Sequence, residues 1–180
     1  MKNENIVQYV LRLTVTLLLI TGIVAAALAG VNAITKDAIA ANQEKKTQDA
    51  LAVVLPDATN LTKMELTGDT GIVSGVYTDG VNYAVTVLPS GFDGAITMMV
   101  GISENKVTGI SVISHTETPG LGAVAAAQNA KGEAFRGQFV GQEGTLVIGD
   151  QIDAMSGATI TSTAVVTGVN AALSYVASLG

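Results

Sequence analysis

The sequence predicts an α+β protein in which a single transmembrane helix precedes a domain whose antiparallel or mixed sheet is covered by helices. Three observations indicate this class: an uncharged apolar run near the N-terminus, short β-rich segments joined by turn residues, and apolar residues at helical spacing near the C-terminus. At 180 residues the chain has room for one domain of ordinary size and an accessory segment. We therefore predict three parts: a membrane part (1–32), a helical connector and loop (33–71) and a folded domain (72–180).

The predicted transmembrane helix runs from Leu13 to Val31. These roughly 19 residues carry no charge and are long enough to cross the hydrocarbon core of a bilayer. We expect a membrane anchor, although the small residues from Ala27 to Ala29 would also suit cleavage of a signal peptide.

The charges that flank this run predict its orientation. Lys2 and Arg12 lie on the N-terminal side, whereas Lys36 on the other side is followed by Asp37. The positive-inside rule then places the N-terminus in the cytoplasm and the folded domain outside, on a single-pass protein of the inner or cytoplasmic membrane.

Small residues recur every fourth position within the anchor, at Gly22, Ala26 and Gly30. Such a stripe lets a second helix approach closely, and it is also compatible with an alanine-rich anchor that packs on lipid alone.

The sequence after residue 32 predicts a helical connector and loop, followed by a sheet. We predict a helix leaving the membrane, then a short amphipathic helical turn that ends at Pro56, and a loop from Asp57 to Gly71. Two hairpins then predict an antiparallel sheet, with the first turn at Asp79-Gly80 and the second around Ser103, Glu104 and Asn105. The four strands are predicted at 72–78, 81–88, 95–102 and 106–113.

The C-terminal part is predicted to contain a helix at 123–130, a short strand at 145–148 and a final helix at 160–179. The final helix has valine and leucine at helical spacing, including Val165, Val169 and Leu173. We expect the helices to cover one side of the sheet.

Composition excludes several classes of function. The chain has no cysteine and one histidine, so thiolate metal sites, iron–sulfur clusters and disulfides are absent and we expect no metal site. Its formal net charge is −6, which argues against nucleic-acid binding. Any redox function would therefore need an organic cofactor.

Two enzyme motifs are present only in fragments. Gly120, Gly122 and Ala125 have the spacing of a dinucleotide fingerprint, but too few residues follow for the usual βαβ fold. His115, Asp153 and Ser156 could in principle form a hydrolase triad, but no nucleophile-elbow motif surrounds Ser156. We predict no catalytic residues of either kind.

The stretch DAMSGAT, 153–159, opens the final predicted helix. A hydroxyl such as that of Ser156 could cap free backbone N–H groups there, and the same N–H groups favour an anion. The stretch resembles the flavinylation motif of the covalent-FMN domain family, shared by the G subunit of Rnf electron-transport complexes and the C subunit of sodium-pumping NADH:quinone reductase. The matching positions are Asp153, Ser156, Gly157, Ala158 and Thr159.

A second stretch, HTETPGLG at 115–122, resembles the family loop that lies against the bound flavin. The matching positions are Glu117, Thr118, Gly120, Leu121 and Gly122. The resemblance leaves the role of Glu117 open between a solvated loop carboxylate and a flavin contact, whereas His115 is expected to be structural. Ala123 departs from the family, which often has a charged residue there.

The resemblance implies a function as well as a site. It implies that Thr159 carries FMN through a phosphoester, attached by a separate FAD-dependent flavin transferase. It further implies an electron-transfer subunit, without turnover of its own, in a complex that couples ferredoxin and NAD oxidoreduction to sodium or proton transport. The partners would be the other membrane and peripheral subunits and membrane lipid. The compact acidic chain favours the Rnf branch over the sodium-pump subunit, and a free-standing anchored flavoprotein is the remaining alternative.

Overall fold

The computed structural model describes residues 6–68 and 70–179 and contains two compact units, Met1–Lys45 and Lys46–Gly180. Lys2, which was used to predict the orientation, lies outside the described residues. The elements are α1 (Ile6–Val54), β1 (Thr62–Met64), β2 (Val73–Thr78), β3 (Tyr83–Val87), β4 (Thr97–Ser103), β5 (Lys106–Ser114), a 3₁₀ helix (Gly122–Ala126), α2 (Ala130–Gly137) and α3 (Thr159–Ala177).

Helix α1 is continuous over 49 residues. The predicted break between a membrane helix and a separate amphipathic turn is therefore wrong. No glycine or proline lies between Val31 and Leu55, and the segment is rich in alanine, lysine and glutamine, which favour helix. The helix ends at Val54 because the ring of Pro56 disfavours helical backbone at the preceding residue.

The described residues of the first unit, 6–45, all belong to α1, a helix that could span a membrane by length and composition. Apolar side chains of this unit are exposed, as at Leu17, Leu18 and Ile23. Threonine hydroxyls within this stretch donate to the carbonyl four residues earlier, as Thr14 does to Val10 and Thr21 to Leu17. Each hydroxyl is thereby satisfied inside the helix, which suits a segment surrounded by hydrocarbon.

The sheet of the second unit is an antiparallel meander in the order β1-β2-β3-β4-β5. All four predicted strands are present, and their ends differ from the prediction by at most two residues. The predicted 57–71 loop contains an additional strand, β1, in which Lys63 pairs with Tyr77 of β2. Three mostly exposed edge residues give no alternating pattern, which explains why the sequence did not reveal it.

The two hairpin turns differ in their chemistry. Glu104 and Asn105 both have positive φ, 50° and 61°, as a two-residue type I′ turn requires. The first turn is longer than predicted and spans 79–82, because the Asp79 carboxylate accepts hydrogen bonds from the backbone N–H groups of Val81 and Asn82 at 3.0 and 2.8 Å. These bonds hold the pKa of Asp79 below its ordinary value, with the Asn82 N–H as the largest cause.

Helix α3 covers one face of the sheet and forms the main core with it. Side chains that alternate along β3 and β4, such as Val85, Val87 and Val100, are fully buried against it. Gly168 brings the helix close to the sheet, since a Cβ there would lie 3.1 Å from the Met98 sulfur. Although α3 is apolar enough to cross a membrane, 61% of its apolar 18-residue window is buried, as expected for a core helix.

The opposite face is covered by the last turns of α1, so helices lie on both faces and not on the one side that we predicted. Ala50, Leu51 and Val54 pack with Ala84 and Met99. The glycine pair Gly101 and Gly109, directly opposite each other in β4 and β5, leaves room for the backbone of Val54, whose carbonyl accepts a hydrogen bond of 2.5 Å from Thr108.

Two predicted elements after the sheet are wrong. The predicted 123–130 helix is replaced by the 3₁₀ helix and by α2, which Asn129 caps by accepting from the backbone N–H groups of Lys131 and Gly132. The predicted 145–148 strand is absent, because the side-chain amide of Asn170 in α3 takes both backbone groups of Leu146, at 2.8 and 2.9 Å.

Candidate functional site

The start of α3 has no side-chain cap. Ala158 is the N-cap residue, and the first amide to donate back to it is that of Ser162, at 2.9 Å. The backbone N–H groups of Thr159, Ile160 and Thr161 therefore have no partner within the described part of the chain. Ser156, which we predicted to contribute the cap, is exposed and does not cap the helix.

Buried Ser162 fixes the loop that leads into the helix. Its hydroxyl oxygen accepts a hydrogen bond from the N–H of Met155 and donates to the carbonyl of Ala158, both at 2.9 Å. Gly157 in this loop has a φ of 73°, a left-handed conformation that glycine adopts without strain. Gly157 before Thr159 and Ser162 after it therefore set the geometry of this loop.

Thr159 differs from the other hydroxyl residues in the first two turns of α3. Thr161, Ser162 and Thr163 each donate a hydrogen bond, to Glu117, Ala158 and Thr159 respectively. The hydroxyl of Thr159 is exposed and has no hydrogen-bond partner among the described residues. It is the free hydroxyl at this helix start.

Glu117 is buried, with 4% of its surface exposed, so it is not a solvated loop carboxylate, and its contact with a flavin stays a prediction. The hydroxyl of Thr161 donates to its Oε2 at 2.5 Å, and the backbone N–H of Asp93 donates to its Oε1 at 3.2 Å. Glycine is required beside it at Gly91 and Gly122, since a Cβ at either position would overlap a carboxylate oxygen. Glu117 thus joins three separate segments of the chain.

These segments form a cleft of about 340 Å³, a size within the usual range for small-ligand pockets. Seven of the predicted site residues line it, namely Glu117, Thr118, Leu121, Gly122, Gly157, Ala158 and Thr159. The cleft is mainly apolar, and Glu117 is the one ionisable side chain among the residues that line it.

Three predicted site residues lie elsewhere. Gly120, Asp153 and Ser156 line a neighbouring groove of about 560 Å³, which shares Leu121 with the cleft. The backbone of Asp153 is held by the Gln138 side chain, which accepts from its N–H at 2.7 Å. The two motifs, 115–122 and 153–159, therefore lie next to each other, but Gly120, Asp153 and Ser156 line the groove and not the cleft.

The sequence did not reveal three further residues of the cleft, Phe92, Ile160 and Thr161. Thr161 and Ile160 immediately follow the predicted motif, so their closeness to it was the available signal. Phe92 had none, since it lies in a turn between two strands far from both motifs in the sequence.

Arg136 supports the cleft from outside. One of its guanidinium nitrogens, Nη1, donates to the carbonyls of Ala125 and Ala127 at 2.8 and 2.9 Å and so ties the 3₁₀ helix to α2. Burial lowers the pKa of Arg136, with a smaller opposing effect of Glu133.

Two other chemistries have no support here. No hydrogen bond joins His115 to Ser156 or Asp153, and the buried Nδ1 of His115 has no partner in the described residues. Within 6–68 and 70–179 no group of three or more histidine, cysteine, aspartate or glutamate side chains could hold a metal ion.

Comparison with known proteins first defines the class. Residues 91–174 match the family model described as FMN-binding domain, and residues 1–54 match the one described as RnfG N-terminal region. The first match spans the Phe92 turn, the Glu117 loop and most of α3, so the cleft lies within the FMN-binding domain.

Relatives that match this chain over nearly the whole length of both proteins then define the family. The G subunit of an ion-translocating oxidoreductase complex from Methanosarcina acetivorans is 34% identical over 180 residues, covering 92% of this chain and 93% of the relative. The G subunit of a proton-translocating ferredoxin:NAD(+) oxidoreductase complex from Clostridium ljungdahlii is 35% identical over 184 residues, covering 97% and 94%. The chain therefore belongs to the family of Rnf complex G subunits, as the resemblance predicted.

Proposed function

We propose that this protein carries FMN covalently on Thr159, through a phosphoester, and passes electrons within a membrane-bound complex. The observation that carries the proposal is the exposed, unbonded hydroxyl of Thr159 at the uncapped start of α3, on the wall of the cleft. Thr161, Ser162 and Thr163, the other hydroxyl residues in the first two turns of α3, are engaged in hydrogen bonds, so Thr159 offers the free hydroxyl at the start of this helix.

The helix start suits the product of this modification. A phosphodiester on Thr159 keeps one negative charge, which the free N–H groups of Ile160 and Thr161 and the helix dipole would stabilise. Gly157 and Ala158 leave the approach open, since neither carries a side chain larger than a methyl group.

Attachment requires a separate flavin transferase that uses FAD. The Thr159 oxygen would form a bond to the phosphorus of the FMN half, while the pyrophosphate bond breaks and AMP leaves with the bonding electron pair. The hydroxyl proton is released. The exposure of Thr159 supports modification of the folded protein by such an enzyme.

The cleft beside Thr159 would receive the isoalloxazine ring. FMN supplies one- and two-electron transfer, which a chain without cysteine cannot supply from its own side chains. Leu121 and Ile160 offer apolar contacts that exclude water, and Glu117 offers a carboxylate edge held by Thr161 and Asp93.

We propose further that the protein is the electron-transfer subunit of a ferredoxin:NAD(+) oxidoreductase complex that translocates sodium or protons. Relatives named as G subunits of such complexes support this role, with a proton-translocating complex in Clostridium ljungdahlii and a sodium-translocating one in Acetobacterium woodii. The protein has no turnover alone. The apolar part of α1 anchors it in the cytoplasmic membrane, with the FMN domain outside.

Intact-mass spectrometry of the full chain, produced in cells that contain the transferase, tests the covalent site. We expect the wild type and Thr163→Ala each to be heavier by one whole FMN group, joined through its phosphate. We expect no such increase in the mass of Thr159→Ala. Thr163→Ala is the matched control because it removes an exposed hydroxyl one turn later on the same helix. Flavin that persists on Thr159→Ala would refute the site.

Purification from native membranes tests the assignment to a complex. We expect the chain to co-purify with other redox subunits in mild detergent. Recovery of the flavinylated chain alone, with no associated subunit, would instead favour a free-standing anchored flavoprotein.

A further inference from the structure

One glutamine side chain holds the start of the 153–159 motif. The Oε1 atom of Gln138 accepts a hydrogen bond from the backbone N–H of Asp153 at 2.7 Å, and its Nε2 atom donates a longer one, of 3.4 Å, to the carbonyl of the same residue. A single amide therefore takes both backbone groups of Asp153, as a residue of a neighbouring strand would. Such pairing fixes both the position and the direction of the backbone where the motif begins.

Gln138 itself lies at a well-anchored point, the C-terminal end of α2. Its backbone N–H donates to the carbonyls of Phe135 and Arg136, and its carbonyl accepts from the side chain of Gln142 at 3.2 Å. Phe135 and Phe139, before and after it, are buried and pack edge to face with ring centroids 5.5 Å apart. The side chain of Gln138 therefore extends from a backbone that the core holds in place.

The loop between Asp153 and Thr159 has few other attachments. The N–H of Met155 donates to the Ser162 hydroxyl at 2.9 Å, and the N–H of Ala158 donates to the carbonyl of Met155 at 3.0 Å. Three further backbone N–H groups of the loop have no partner in the described part of the chain, those of Ala154, Ser156 and Gly157. Within that part, the side chains whose hydrogen bonds hold 153–158 are thus those of Gln138 and Ser162.

The same end of α2 also holds the segment next to the other motif. Arg136, two residues before Gln138, donates to the carbonyls of Ala125 and Ala127. These residues belong to and follow the 3₁₀ helix that begins at the last residue of the 115–122 motif. The position of one motif relative to the other therefore depends on two neighbouring side chains of α2.

We propose that Gln138 is a positioning residue for the flavinylation of Thr159. The inference rests on the proposed function and deepens it, because it names a residue outside both motifs that prepares the acceptor for the transferase. Gln138 lines the neighbouring groove and not the cleft, so it acts through Asp153 and the loop, without touching the reacting atoms.

The chemistry of the transfer explains why the position of this loop matters. The Thr159 oxygen forms a bond to the phosphorus of the FMN half of FAD, AMP leaves with the electron pair of the broken pyrophosphate bond, and the hydroxyl proton is released. The attacking oxygen must lie roughly in line with the leaving group. A misplacement of about 1 Å can slow such a reaction about a hundredfold.

Gln138→Met tests the proposal, because methionine keeps the length of the side chain and removes the amide. Gln151→Met is the matched control. Gln151 likewise accepts from a backbone N–H, that of Val147 at 2.9 Å, but in the turn before the motif. The control thus loses a comparable bond without freeing Asp153.

The full-length chains are purified in one detergent from cells without a flavin transferase, and are then supplied with purified transferase and FAD. Intact-mass spectrometry follows the added FMN over time at several concentrations of the chain, at a temperature where circular dichroism shows every chain folded. We expect the kcat of flavinylation to be roughly ten- to a hundredfold lower in Gln138→Met, with KM for the chain unchanged, and Gln151→Met to match the wild type.

Two outcomes would overturn the inference. Equal kcat values for Gln138→Met and Gln151→Met would leave Gln138 a purely structural role, and a change confined to KM would make it a docking contact for the transferase. Gln138→Glu serves as a second variant should Gln138→Met fail to fold. It retains an acceptor for the shorter bond and loses the donor of the longer one, so its kcat should lie below that of Gln151→Met, and equal values would again overturn the inference.

The wild type separates this inference from the proposed function. A wild-type chain that takes up no FMN on Thr159 from transferase and FAD overturns the proposed function, and the role of Gln138 with it. FMN on Thr159 that forms equally fast in Gln138→Met and Gln151→Met overturns the role of Gln138 alone.

Discussion

The hydrogen bond between Thr161 and Glu117 allows a quantitative prediction about how the cleft is held together. Both side chains are buried, with 1% and 4% of their surfaces exposed, and the bond joins residues 44 positions apart in the sequence. Replacement of Thr161 by valine keeps the shape of the side chain but removes the donor. The Oε2 atom of Glu117 then loses its hydroxyl partner in a place that bulk water does not reach.

The magnitude follows from the burial and charge of the acceptor. A hydrogen bond to a charged group contributes about 1.5–3 kcal/mol to the free energy of unfolding. For a folded unit of this size, each kcal/mol lowers the thermal midpoint by about 3–4 °C. We therefore expect Thr161→Val to lower the midpoint by about 5–12 °C.

Thermal unfolding of the purified full chain in one detergent, followed by circular dichroism, measures this difference. Thr167→Val is the matched control, because it makes the same chemical change at an exposed residue of the same helix, and we expect an effect within about 0.5 kcal/mol. Thr161→Ser, which retains the hydroxyl, should recover most of the loss. Equal midpoints for Thr161→Val and Thr167→Val would refute the view that this bond stabilises the site.

Two further predictions concern the rest of the second unit. Gly101→Ala should destabilise it by about 1–3 kcal/mol, because the added methyl group would overlap the Val54 carbonyl and the Thr108 hydroxyl. Gly137→Ala is the control and should be neutral, because a methyl group there meets open space. Equal midpoints of the two variants in chemical denaturation would contradict this prediction. The lowered pKa of Asp79 means that its carboxylate stabilises the folded state above the ordinary value of 3.8, and that this contribution is lost as the pH falls through the lower folded pKa. The stability advantage of the wild type over Asp79→Ala should therefore shrink over that acidic range, and a pH-independent difference would argue against the turn bonds as its source.

The parts of the fold that the sequence predicts well are those with a local signal. The apolar run within α1, the four strands of 73–114 and the period of α3 each appear as a repeat within one segment, because burial on one face imposes its own spacing on the chain. The motif around Thr159 is equally local. Its glycine, alanine and threonine lie next to one another in the sequence, so their arrangement at a helix start could be predicted.

The misses occurred where a partner distant in the sequence decides the structure. Strand β1 exists because β2 offers it a partner, and residues 145–148 are not a strand because Asn170 takes the backbone groups of Leu146. The cap predicted at Ser156 is a local exception, and it is absent because Ala158 occupies the N-cap position.

The sequence by itself thus determined the class of protein, the anchor and the threonine that we propose as the flavin attachment site. Only the tertiary structure decided that Glu117 is buried, that Thr161 and Asp93 hold it, and that Phe92 faces the same cleft. The physical reason is the range of the interactions. Periodicity and motif spacing are set by neighbours along the chain, whereas a cleft is set by side chains that packing brings together from separate segments.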